Sequence, residues 1–353
     1  MNTRRNAVML SWFAVAGVLS LCVSSGCTGM AKREVRGYVA AEHQRLESAR
    51  SRVNDPMLDE YFRSFTNPLL AGAQKLAGTS KPEYQADKAL DIYDDFRVYV
   101  VHDASPNAWT VGDDFACITT SAILFAEHPD ELAFILAHEY GHMRGGHLVT
   151  AVKRKYATAF VAGMAAGLAS GVANYQAQAN PYYSSTQYNM DLQNARNLAM
   201  AIMLSYTPHQ PIDEHDADEK AIELLLAAGL PIDRADKFFE RMLARFGDTK
   251  SNTHPAPSAR IARVRALMAK HDGYVSPLMC NESQFKKVQQ RVRELTVTAM
   301  ESGTLAFYSQ ERHSLLNKQP KSHLKACGPL YADPEVLATM YWNAVRGDST
   351  HQQ

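Results

Sequence analysis

"ELAFILAHEYGHMRGGHL", residues 131–148, sets His138 and His142 four residues apart with Glu139 directly after the first histidine. Residues four apart share one face of a helix, so both imidazoles can reach a single ion while Glu139 stands beside it. This H-E-x-x-H order lets two neutral imidazoles hold zinc next to a carboxylate that can work on a water molecule. The flanking Ala133, Phe134, Leu136 and Ala137 are too apolar for a solvated surface helix. Histidines buried on such a helix need a partner.

A catalytic zinc takes three protein ligands and keeps one position open. His147 fails as the third: in the pattern H-E-x-x-H-x-x-G-x-x-H, Gly145 falls in place, but the last position is Leu148, and His147 is read as a helix-end histidine. The better candidate lies in "PIDEHDADEKAIELLLAAG", residues 211–229. Glu214 and Asp218 are again four apart, on one face of a second helix, with the small Ala217 where two helices could approach closely. Glu214 then serves as third ligand, and Asp218, one turn on, can accept the free N–H of a ligand histidine.

The rest of the chain frames this pair of helices. Its 353 residues are 46% hydrophobic, and 37 basic residues balance 37 acidic ones. That suits a folded protein of one or two domains and offers no basic excess for nucleic acid, so no nucleic-acid partner is expected. Arg4 and Arg5 precede an apolar run over 7–23, and Ser24, Ser25 and Gly26 lead into Cys27, the layout of a secretory signal peptide over 1–26. A cysteine after small residues resembles a bacterial lipobox, with Ser24 in place of the usual leucine, so Cys27 is the expected lipidation site. Plain secretion and an uncleaved anchor are the alternatives. Thr28 at the next position, by resemblance to bacterial lipoproteins, favours the outer membrane. Beyond Cys27 stand Cys117, Cys280 and Cys327. One pair can form in an oxidising compartment, and Cys280 with Cys327 is the expected disulfide, leaving Cys117 reduced.

Periodicity predicts two helices over 32–77 with a break at 54–56, a strand in "DFRVYVVHD" (95–103), and a strand pair or hairpin in "WTVGDDFACITTSAIL" (109–124). Residues 157–172 form an apolar Gly- and Ala-rich run, shorter than the roughly 20 residues that span a bilayer. It is read as a core or hairpin helix, with a membrane-surface contact as the other reading. The polar, aromatic stretch 174–190 is expected to be a loop, and helices are expected over 211–228 and 234–246. The pattern after Gly273 is not assignable.

H-E-x-x-H followed by E-x-x-A-D resembles the CAAX-prenyl-protease-like zinc metallopeptidases of HtpX, BepA and Oma type. "SPNAWTVGDDFACITTSAIL" is similar to the family's Asn-Ala-aromatic strand, and "THPAPSARIARV" to its downstream His-Pro segment, so the likeness covers 58–270. It implies an α+β, mainly helical fold: a gluzincin-type metalloprotease domain with a small β-sheet beside the H-E-x-x-H helix. The implied boundaries are 27–57 for an N-terminal helical segment, 58–272 for the protease domain and 273–353 for a C-terminal extension. The tail shows no tetratricopeptide period, so no partner-binding array of that kind is expected.

What the resemblance implies is a zinc endopeptidase with one Zn²⁺ per chain on His138, His142 and Glu214, and Glu139 as general base and acid. Asn107, Ala108 and Trp109 would bind an extended substrate along a strand edge. His254 has two open roles, capping the open zinc position or stabilising the oxyanion, with Arg260 in reserve for the second. The implied partners are unfolded or misassembled envelope polypeptides, met in the bacterial periplasm by a protein tied to the membrane through a lipid on Cys27. The rival reading is a non-catalytic envelope lipoprotein that holds clients on a protease fold.

Overall fold

A computed structural model describes residues 27–78, 96–110, 115–180, 182, 184–204, 211–248, 255–311, 341–343 and 345–346. The expected signal segment 1–26, His254 and Cys327 lie outside the described residues. The chain divides into two compact units, Met1–Gly37 with Leu148–Pro208 and Tyr38–His147 with His209–Gln353.

The second unit holds a four-stranded sheet: β1 (Arg52–Val53), β2 (Arg97–Val101), β3 (Ala108–Thr110) and β4 (Phe115–Thr119), in the order β1-β2-β4-β3. β2 runs parallel to β4, with Tyr99 opposite Cys117, and the two outer pairings are antiparallel. β4 is apolar and buried along its whole length, as a central strand covered on both faces must be. Its chain turns directly into α3 (Thr120–Phe125), whose first turn is capped by the Thr119 hydroxyl accepting from Ala122 N.

Helices cover this sheet. α1 (Cys27–Ser48) is followed by α2 (Pro56–Ala77), which starts where Asp55 accepts from Met57 N and Leu58 N and Pro56 fits the first turn. α4 (Pro129–Arg144) carries the H-E-x-x-H residues and is buried from Glu131 to Gly141. A helix buried all round shows little amphipathic contrast, because no face meets water. α7 (Pro211–Ala228) lies between α4 and α2, and glycines let both come close. A Cβ on Gly141 would stand 2.9 Å from Ala217 O, and one on Gly72 would stand 2.8 Å from Ala228 N. α8 (Lys237–Phe246) and α9 (Pro257–Ala269) complete this layer.

Within the C-terminal extension expected over 273–353, the described residues Phe285, Val288, Val292, Tyr341 and Val345 join this core. α10 (Glu282–Glu301) buries Phe285, Val288 and Val292 along one face, and Gln289 Nε2 donates to Ile123 O and Ala126 O. Buried Tyr341 adds a hydrogen bond to Thr120 Oγ1 at 2.9 Å. The helical spacing of 285, 288 and 292 was present in the sequence but sat among charged residues.

The first unit contains the start of α1, most of α5 (His147–Ala179) and α6 (Ser185–Leu204). It interrupts the expected 58–272 block. Glu34 pairs with Lys155 at 2.8 Å and accepts from the Tyr156 hydroxyl. α5 corrects the sequence reading: its 33 residues are long and apolar enough to cross a membrane, and Phe160, Leu168 and Val172 are exposed on it. The 16-residue run was underestimated because its flanks, 147–156 and 173–179, contain no helix breaker. The loop expected over 174–190 is likewise mostly helix. Ser184 accepts from Gln187 N at 3.1 Å, a capping arrangement that starts α6.

His102 gives the fold an acid sensitivity. Only 5% exposed, it is pushed down to about 4 from 6.5 by burial. As pH falls, the unfolded chain takes the proton first, so stability is retained above pH 6.5 and lost toward pH 4. Between pH 7 and pH 5 the parent is expected to lose about 2 kcal/mol more than His102→Asn. Urea denaturation at both pH values checks this, and equal losses would contradict it.

Candidate metal centre

α4 and α7 cross so that three side chains aim at one point. His138 Nε2 and His142 Nε2 are 3.0 Å apart. The Glu214 carboxylate from α7 sets Oε2 at 3.5 Å from the first and Oε1 at 3.3 Å from the second. The candidate ligand atoms all lie within 4.8 Å of one another. His138 and Glu214 are buried, and the His142 side chain is 11% exposed. Two imidazole nitrogens and a carboxylate converging within this distance form a donor set that fits a zinc-type ion.

Around the ligands stands a second set of contacts. Asp218 Oδ1 accepts from His138 Nδ1 at 2.9 Å, and Arg260 Nη2 reaches the same oxygen at 2.5 Å. Burial alone would raise Asp218, yet Arg260 and His138 hold it down at about 2, so it stays an anion. Arg260 is buried, with its guanidinium 4.1 Å from the Phe239 ring centroid. The sequence reading held Arg260 for an oxyanion contact; here it lies beside His138 and anchors Asp218. Burial lowers His142 from its ordinary value. Its Nδ1 lies 2.8 Å from His147 Nδ1, and His147 Nε2 lies 2.8 Å from Asp216 Oδ2. His147 therefore touches a ligand histidine rather than the metal point. Neither this contact nor Asp216 was read from the sequence.

A cleft opens on this point. Glu139, His138 and Arg260 line it together with Asn107, Ala108 and Phe239. Pro255 and Pro257 also line it, one and three residues after His254. β3 forms one edge of the sheet, and Asn107 is tied inward through its backbone, with its carbonyl accepting from Thr119 N at 3.0 Å. Trp109 is a different case. Its ring packs 4.6 Å from the Tyr308 ring, and it is not among the residues that line the cleft; within β3 its side chain and that of Ala108 take opposite faces. The expected group Asn107, Ala108 and Trp109 is thus divided, with the first two at the cleft. Cys280 is a free thiol hydrogen-bonded to Asp130, and burial pushes it up. Cys117 is buried in β4.

Residues 74–268, more than half of the chain, match peptidase family M48. The chain belongs to this family. M48 peptidases are metal-dependent, and the matched span contains both helices that carry the ligands. Among similar proteins, the putative β-barrel assembly-enhancing protease of Vibrio cholerae is 23% identical over 235 residues, 65% of this chain and 43% of that protein. The β-barrel assembly-enhancing protease of Escherichia coli K12 is 22% identical over 227 residues, 63% of this chain and 41% of that one. This M48 chain therefore spans less than half the length of the curated relatives it matches.

Proposed function

We propose that this M48 chain is a zinc-dependent endopeptidase of the bacterial cell envelope that cuts misfolded or misassembled envelope polypeptides. The observation that carries the reading is the convergence of His138, His142 and Glu214 beside Glu139 in one cleft flanked by an edge strand. One zinc per chain, when bound to those three residues, would polarise a scissile carbonyl and acidify water. Glu139 takes the proton of the attacking water and passes it to the leaving amine, so one carboxylate serves as base and then acid. Among the described residues β3 lies at the end of the sheet, where an extended peptide can pair along its main chain, which selects unfolded segments over folded surfaces. Asp218 and Arg260 hold His138 in its orientation throughout.

The envelope assignment draws on the signal-like segment 1–26, Cys27 after it, and relatives named for β-barrel assembly. By this reading a lipid on Cys27 tethers the enzyme to the periplasmic face of the outer membrane, and unassembled outer-membrane chains are its substrates. Purified protein should carry one zinc per chain by mass spectrometry and cleave unfolded casein. A chelator should stop cleavage, and added zinc should restore it. Zinc-replete protein that leaves casein intact while keeping it soluble would instead support the holding role.

A further inference from the structure

Each ligand histidine has two ring nitrogens, and only the bare one can bind a metal. For His138 the partner is Asp218, whose Oδ1 lies 2.9 Å from Nδ1 and accepts a hydrogen bond from it, while Arg260 Nη2, 3.0 Å from the same nitrogen, donates to that oxygen at the shorter distance of 2.5 Å. Among the described residues no carboxylate does the same for Nδ1 of His142, which faces another imidazole, His147 Nδ1, at 2.8 Å. Two facing ring nitrogens can hydrogen-bond only if one is protonated and the other bare. Which one carries the proton is decided one step further out, where His147 Nε2 meets Asp216 Oδ2 at 2.8 Å. A carboxylate accepts, so His147 Nε2 donates and a neutral His147 is left bare at Nδ1. His142 must then donate from its own Nδ1, and its Nε2 is bare. That nitrogen lies 3.0 Å from His138 Nε2, which the Asp218 contact leaves bare as well, so both lone pairs are directed to one point.

We propose that His147 and Asp216 form a positioning relay that fixes the ring orientation and tautomer of His142, keeping its Nε2 available for the metal. The proposal rests on the reading of His138, His142 and Glu214 as a metal site. The two ligand histidines of α4 are thus each anchored to an acid of α7, one directly through Asp218 and the other through a second histidine to Asp216. Lys220 holds the outer end, its Nζ donating to Asp216 Oδ1 at 2.7 Å, and this makes the relay directional.

The directionality supplies the test. In Asp216→Asn the amide keeps the shape of the carboxylate, but Lys220 claims the amide carbonyl and the NH₂ group turns to His147 Nε2. His147 must then accept there and donate from Nδ1, which drives the His142 proton onto Nε2, where it competes with metal. Zinc affinity of the full chain, measured by competition with a chromogenic chelator, is expected to fall 10- to 100-fold, the range for lost outer contacts of metal ligands. The visible absorption of the cobalt(II)-loaded protein should shift, while the melting temperature of the metal-free protein stays close to the parent's. His147→Phe, which abolishes both contacts, should weaken zinc binding at least as much. Long-range ¹H–¹⁵N spectra of the histidine-labelled, metal-free parent should show His142 protonated at Nδ1 and His147 at Nε2. The opposite tautomers, or Asp216→Asn with parental zinc affinity and cobalt spectrum, would overturn the relay. A parent chain that binds no zinc would overturn the metal reading instead, and the tautomers would still judge the relay.

Discussion

Glu139→Gln is expected to lower peptide hydrolysis by about 10² to 10⁴-fold while the protein keeps its full complement of zinc. Glutamine matches the shape of glutamate and keeps a hydrogen-bonding oxygen in the cleft, but an amide cannot take a proton from water or return it to an amine. None of the three converging ligand atoms belongs to Glu139, so metal content and folding should be parental. Glu214→Ala supplies the contrast, because it removes one of three ligands and should lose zinc and hydrolysis together. Metal analysis and casein cleavage on the two variants separate the roles. Parental turnover by Glu139→Gln would remove this residue from the proton transfer, and a zinc-replete Glu214→Ala protein would reassign the third ligand.

The metal helices were legible because their chemistry is local. Four-residue spacing sets His138 against His142 and Glu214 against Asp218 before any tertiary contact is known. The small Ala217 marked the place where α4 could approach, and Gly141 is the residue that meets it. The second layer of contacts was not legible for the opposite reason. His147 and Asp216 are 69 residues apart, and the four-residue spacing of Asp216 points to Lys220 rather than to a histidine, so only the tertiary approach of the first residue of α5 to α7 joins them. Matching His147 to a ligand template also hid it, since one residue out of register for the metal is in register for His142. Trp109 lies on β3 as the sequence pattern suggests, and the alternation along a strand turns its side chain to the face opposite Ala108, so any role in substrate pairing is left to its main chain. The tail was missed because α10 carries its apolar stripe between Lys286, Lys287, Arg291 and Arg293, and charge masked the period.

Glu131 shows how far a local reading can mislead, and it carries the largest stability prediction. By sequence it is an acid in the first turn of the metal helix, placed to complement the helix dipole for a few tenths of a kcal/mol. In the structure it is fully buried and paired through both oxygens with Arg241 of α8, with Arg241 Nη1 to Oε1 at 3.1 Å. Arg241 also donates to Phe125 O at 3.3 Å, so one guanidinium ties α8 to the start of α4 and the end of α3. Burial raises the Glu131 carboxyl above its ordinary value, with the hydrogen bonds from Arg241 working against the rise. Arg241→Ala leaves that carboxylate buried without its cation and should cost about 3–5 kcal/mol at pH 7. The sign of the pH dependence follows from the direction of the shift. With the folded value raised further in the variant, the folded state holds its proton where the unfolded chain has released it, so the deficit grows as pH rises above the ordinary carboxylate range and shrinks toward pH 5. Adding Glu131→Gln to Arg241→Ala removes the charge and should restore part of the loss. Urea denaturation of the parent, the single variant and the double variant at pH 5 and pH 7 tests the account. A deficit under about 1 kcal/mol that does not change with pH would mean that water, rather than Arg241, solvates this carboxylate.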